Sequence, residues 1–228
     1  MKKTFLILMT LFMTMSQAQE VKQIPMINVS GEGKIKTVPD QASIYVSVET
    51  KGTNVVSVKK ENDAKMDAVL KFIKNSNIAK EDYQTQRVSL NPNYDYEKKK
   101  HNYIASQTVK ILLKDLSKYD ELMEGLVNAG INGISNVEFK SSKMAQLQSE
   151  ARKLSIKDAK LKADDYVSAI NQKVGKVFTI TDNSQNYYPQ PMFRSMKAEM
   201  SDAGMPKETL AVGEIEIVIN VSVSFILE

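Results

Sequence analysis

The sequence predicts an α+β fold in which helices pack on one face of a mainly antiparallel sheet. Three observations carry that prediction. In the last segment Ile215, Ile217, Ile219, Val221, Val223, Phe225 and Leu227 fill every odd position, and Glu214, Glu216, Asn220, Ser222 and Ser224 fill most even ones. Period two over that length marks a long strand with one buried face. Residues 144–171 instead repeat small side chains every four residues, at Ala151, Ser155, Ala159 and Ala163, continued by Tyr166 and Ile170. That is helical spacing, and small residues let the backbone lie close to whatever it packs on. Third, strands come in pairs before the first two helices, which segregates helices from antiparallel strands. The order of elements is ββα-ββα-βα-β-loop-β.

Each element follows in turn. Ile24 to Lys36 reads as a strand interrupted at Gly31-Glu32-Gly33. After the Pro39-Asp40 turn, Ala42 to Thr50 alternates, with Ile44, Val46 and Val48 on one face and Tyr45, Ser47 and Glu49 on the other. Asn54 is placed to cap a helix running to about Ser76, with Val55, Val58, Asn62, Met66, Val69 and Ile73 along one side. Tyr83 to Tyr96 and Tyr103 to Leu113 are two long strands joined by the charged stretch Glu97 to Asn102. Asp115 starts a second helix, with Leu116, Tyr119, Leu122, Met123 and Leu126 at helical spacing, and Gly130 stops it. Val137 to Ser141 and Val174 to Thr181 are strands, and residues 182–210, with three of the six prolines, are a long loop. The two ββα stretches share an order but little residue identity, a faint sign of duplication.

The N-terminus reads as an address. Lys2 and Lys3 precede the apolar run Thr4 to Met15, and Ser16 and Ala18 stand at the −3 and −1 positions of a cleavage site before Gln19. This is the layout of a secretory signal peptide over residues 1–18. The run is too short to span a membrane, which takes about 20 residues, and no second long apolar segment follows. Cleavage between Ala18 and Gln19 leaves residues 19–228, a soluble chain with no transmembrane segment, periplasmic or secreted.

Composition removes several chemistries. The 228 residues include 31 Lys and Arg, 27 Asp and Glu, one His and no Cys. Without cysteine there is no disulfide framework, no thiolate zinc site and no thiol nucleophile. The net charge of +4 falls to +2 when Lys2 and Lys3 are removed, which leaves no footprint for nucleic acid. A core of this size needs no disulfides for stability.

These landmarks, in order, resemble the SIMPL-domain family, the YggE-like periplasmic proteins that include the 26-kDa periplasmic immunogenic proteins. The matching pieces are Val29-Ser30-Gly31-Glu32-Gly33, Pro39-Asp40-Gln41-Ala42, Asn62, Asp82-Tyr83-Gln84-Thr85 and Asn91-Pro92-Asn93-Tyr94-Asp95-Tyr96. Tyr103, Ala105-Ser106, Asp115-Leu116, Phe139, the Ala151, Ala159, Lys162-Ala163 stripe, Val174-Gly175-Lys176-Val177 and Gly213-Glu214 complete it. One position departs: Asn102 stands before Tyr103 where such proteins often have Gly. The resemblance implies an α+β fold, an extracytoplasmic location and a role in envelope or oxidative stress defence. It supplies no catalytic residues.

The candidates for chemistry are few. Gly31-x-Gly33-Lys34 lacks both the spacing of a Walker loop and the third glycine of a dinucleotide fingerprint. Its glycines are read as relieving a bulge or a close backbone contact. His101 lies among lysines without an orienting partner, the setting of a solvated residue rather than a general base. Glu214 and Glu216 share one exposed strand face. Eight methionines remain after residue 18, four of them within 192–205. Met192, Met196 and Met200 would share one face of a helix, and thioethers are soft ligands that select Cu(I) or take up oxidant. A mobile, adaptable apolar loop is the plainer account.

The reading is a non-enzymatic binding or assembly module with no cofactor, in envelope or oxidative stress defence, with an envelope protein as a possible partner. Copper binding or methionine-based oxidant scavenging through residues 192–205 is the alternative. A homo-oligomer is expected, because the strand ending the chain is long and its unpaired edge invites a second copy.

Overall fold

The computed structural model describes residues 24–97, 99–184, 191–192 and 210–228. Its elements are β1 (Met26–Thr37), β2 (Gln41–Gly52), α1 (Val55–Asn75), β3 (Tyr83–Asp95), β4 (Lys100–Leu113), α2 (Tyr119–Ala129), β5 (Gly133–Lys140), α3 (Met144–Ser168), β6 (Val174–Asp182), β7 (Pro191–Met192) and β8 (Glu214–Leu227). The α+β class and the element order are those the sequence predicts. The strands divide between two antiparallel sheets. The first has the order β3-β4-β2-β5, and the second the order β1-β8-β6, with β7 against the start of β8.

Alternation decides which face of each sheet is dry. In the first sheet Ile44, Val46 and Val48 of β2 join Val109 and Ile111 of β4 beneath Val69 and Ile73 of α1 and Leu126 of α2. The side chain of Asn54 accepts the Ser57 N–H and caps α1, and Gly130, at φ 115°, closes α2 in the left-handed conformation. Asp115 caps a short 3-10 turn, Leu116–Lys118, that leads into α2.

In the second sheet the odd residues of β8 pack under Ala151, Ala159 and Ala163 of α3. The small-residue stripe is fully buried, and so is Ser155. Its continuation differs from the expected one: Val167 is buried, whereas Tyr166 and Ile170 are exposed. Continuing every four residues beyond Ala163 leads to Val167; the expected step of three led to Tyr166.

The Gly31-x-Gly33 pair is explained by the same helix. β1 runs without interruption or bulge, and pairs with β8 from Met26 to Thr37. A Cβ on Gly31 would stand 2.0 Å from the Ser155 carbonyl oxygen, and one on Gly33 2.0 Å from that of Ala151. The glycines exist so that α3 touches the strand backbone.

Three further expectations are corrected. The C-terminal strand is central rather than an outer strand: β8 is flanked by β1 on one side and, over parts of its length, by β6 and β7 on the other. The loop of 182–210 contains the short strand β7. The apparent duplication is not spatial, since β1 and β2 belong to different sheets while β3 and β4 pair with each other.

The described chain passes between the sheets twice, at 38–40 and at 141–143. These crossings meet. Asp40 donates its N–H to the Lys140 carbonyl at 3.1 Å and its carboxylate accepts the Ser142 N–H at 2.7 Å and the Ser142 hydroxyl.

Candidate functional site

The residues singled out from sequence do not converge. Met192 contributes its backbone to β7, opposite Glu214. Met196, Met200 and Met205 lie outside the described residues, as do residues 1–18, which the sequence reads as an export signal. His101 is exposed near the start of β4, its ring 4.9 Å from that of Tyr94, which meets Tyr96 edge-on at 5.0 Å. Glu216 is half-buried and reaches Lys36 at 4.0 Å.

The carboxylates held below their ordinary range are dispersed. Hydrogen bonds from Ser142 lower Asp40, from Ser117 lower Asp115 and from Ser184 lower Asp182. Asp158 is lowered first by Lys162 and then by the Glu32 N–H. Each is an acceptor tied to a fixed donor, the setting of a structural clip.

Among the described residues, Asn62 is the one buried amide in the core of the first sheet. It is 1% exposed, and its Nδ2 donates to the carbonyls of Val48 and Ala105 and to the Thr50 hydroxyl. Its Oδ1 has no partner. The amide therefore joins α1 to β2 and β4 at three points.

Three surface features stand out after the clips and cores are accounted for. One is the outer strand β3. Val88, Leu90 and Tyr94 are exposed along it, and Tyr96, just past its end, is 83% exposed. A second is a cavity of about 280 Å³ on the helix-free face of the first sheet, where β2, β4 and β5 meet the start of α3. Ser43, Lys110, Leu112, Lys140 and Met144 line it, with Glu81 from the 3-10 turn before β3. Register explains the grouping: Ser43 stands opposite Leu112, Tyr45 opposite Lys110 and Gln41 opposite Lys140. A larger hollow of about 510 Å³ lies between the end of α1 and α2, around Phe72 and Leu122. There the Ser76 hydroxyl is already spent on the Phe72 carbonyl.

Sequence reading missed the cavity. Its signal was parity: Ser43 falls on the polar face of its strand with Tyr45 and Ser47. Nothing local says that Lys110 and Glu81 reach the same place.

Two helix-backed antiparallel sheets, linked by clipped crossings, define the class: an α+β protein without a convergent acid–base group among its described residues. The SIMPL family model, described as a protein of unknown function (DUF541), matches residues 27–225, and the chain belongs to that family. It is 30% identical over 216 residues to the uncharacterized protein YggE of Escherichia coli strain K12, covering 93% of this chain and 87% of the relative. YggE of Edwardsiella ictaluri is 26% identical over 217 residues, 90% of this chain and 91% of the relative. The 26 kDa periplasmic immunogenic protein of Brucella melitensis is 26% identical over 219 residues, 91% of this chain and 86% of the relative.

Proposed function

We propose that this chain is a non-enzymatic, self-assembling module of the periplasm. The observation that carries the reading is a contrast between two outer strands. β1 has two of its outward backbone groups occupied: Asp158 of α3 accepts the Glu32 N–H at 2.8 Å, and Lys162 donates to the Ser30 carbonyl at 3.2 Å. β3, 13 residues long, has no such cover among the described residues, and it exposes a row of apolar side chains. Pro92 within it fits only an outer strand. An open edge with an apolar face is a template for a second chain.

The location rests on two supports. Residues 1–18 have the layout of an export signal, and the name of the Brucella relative contains the word periplasmic. A role in envelope or oxidative stress defence, with an envelope protein as partner, is what the family resemblance adds.

Light scattering tests the assembly. Protein starting at Gln19 is expected to show a mass of several protomers at micromolar concentration. Val88→Lys with Leu90→Lys is expected to reduce it to one protomer with an unchanged unfolding transition. A wild-type protein that stays monomeric overturns the reading.

A further inference from the structure

The cavity beside the start of α3 holds charges that the protein itself does not match. Lys140 is paired with Glu138 at 3.5 Å, and Asp82 with Lys114 at 2.6 Å. Lys110 and Glu81 also line the cavity, with opposite charges, yet neither forms an ion pair with the other or with any described residue. Lys110 is half-buried, its Nζ 5.7 Å from the centre of the Tyr45 ring.

Ser43 adds an independent observation. It is 1% exposed and lines the cavity, and its hydroxyl has no hydrogen-bond partner. The buried side-chain polar atom left unpaired among the described residues is Asn62 Oδ1, so the Ser43 oxygen is open to the cavity. A carboxylate in the cavity can accept a hydrogen bond from it. Leu112 and Met144 provide an apolar wall between the polar ends. A simple dianion is disfavoured, because Glu81 and Asp82 stand at the same cavity.

We propose that this cavity binds a small aliphatic α-amino acid, its carboxylate on Lys110 and the Ser43 hydroxyl and its ammonium on Glu81. About 280 Å³ lies just under the range of drug-sized ligand pockets, which favours a small molecule of leucine size. Charge-assisted hydrogen bonds fix the two polar ends, and the aliphatic chain lies on Leu112 and Met144. The inference is independent of assembly through β3.

Titration calorimetry with three probes tests it: L-leucine, 4-methylpentanoate, which lacks the ammonium, and phosphate. L-Leucine is expected to bind saturably with a dissociation constant below about 1 mM, and phosphate not to bind. Lys110→Met is expected to weaken both organic probes at least about tenfold, as loss of a charged hydrogen bond requires. Glu81→Gln is expected to weaken leucine by a similar factor and to leave 4-methylpentanoate unchanged. Ser43→Ala, which keeps both charges, is expected to weaken both. Each variant is first shown to keep the wild-type unfolding transition. Absence of saturable leucine binding, or equal affinity in wild type, Lys110→Met and Glu81→Gln, overturns the proposal. So does phosphate binding more tightly than leucine.

Discussion

Asp40 takes the Ser142 N–H at 2.7 Å and the Ser142 hydroxyl as well, and so pins one passage of the chain between its sheets to the other. The two residues are 102 positions apart. Neither sheet shares a backbone ladder with the other, so this contact carries much of the geometric relation between them.

The clip gives the protein a defined acid sensitivity. Hydrogen bonds from Ser142 hold the Asp40 carboxyl below its ordinary value, which is about 3.9 in an unfolded chain. The folded state therefore binds fewer protons than the unfolded state in that range. The stabilisation is complete above about pH 4 and is lost as pH falls through the folded value. Solvent screens an exposed carboxylate, so the effect stays below about 1 kcal/mol. Ser142→Ala is expected to flatten this part of the acid limb, measured as urea midpoints between about pH 5 and 2.

Gly31 and Gly33 are expected to tolerate no side chain. Alanine at either position places a Cβ against a helix carbonyl, and a helix backbone cannot yield as a flexible side chain does. Overpacking of this kind costs about 1–3 kcal/mol. Ala159→Leu, from the opposite side of the same contact, is expected to cost a similar amount. Wild-type denaturation midpoints for all three variants would show that α3 does not rest on β1.

How much of this was readable beforehand depends on the kind of information each feature carries. Alternation in β8 announced its buried face, because period two reports faces directly. It did not announce that β8 is central, because both edges of a strand present the same backbone whatever the side chains. The start of β5 at Gly133 was missed: Ser135 and Asn136 there are exposed, and its register shifts against β2 between Tyr45 and Val46. β7 is only two residues of backbone pairing and leaves no side-chain pattern. Asn62 was placed on the correct side of its helix, but its three acceptors come from strands 12 to 43 residues away.

Asn62 is expected to be sensitive to charge more than to polarity. Its amide donates to three acceptors in a dry environment. Aspartate there would oppose those oxygens with a buried carboxylate, and burial would raise its pKa. Asn62→Asp is expected to be less stable than Asn62→Leu at pH 7. The gap should narrow near pH 4, where a protonated carboxyl donates a hydrogen bond. Thermal melts at the two pH values decide this, and a gap that does not change with pH defeats it.

Asp158 is expected to guard an edge as well as stabilise a helix contact. Asp158→Ala frees the Glu32 N–H and removes the partner of Lys162. The loss in stability should be about 1 kcal/mol. Self-association should rise, because β1 then presents an open edge. Sedimentation velocity on the Val88→Lys, Leu90→Lys background isolates that effect from assembly through β3.

The position of β8 sets a timetable. All strands of the first sheet fall within residues 41–140, so that sheet can close while the rest of the chain is still being made. β1 is synthesised before any of it, yet its partner β8 begins only at Glu214. Such sequence-distant pairing is slow to form. β1, with its two glycines bare, must wait until β8 has been made, and α3 has no complete floor to lie on until then. A nascent chain stalled before Ile215 is expected to protect the amides of β2 and β4 from hydrogen exchange and leave those of β1 open. The second sheet thus cannot close until β8 has been made, long after the strands of the first sheet are complete.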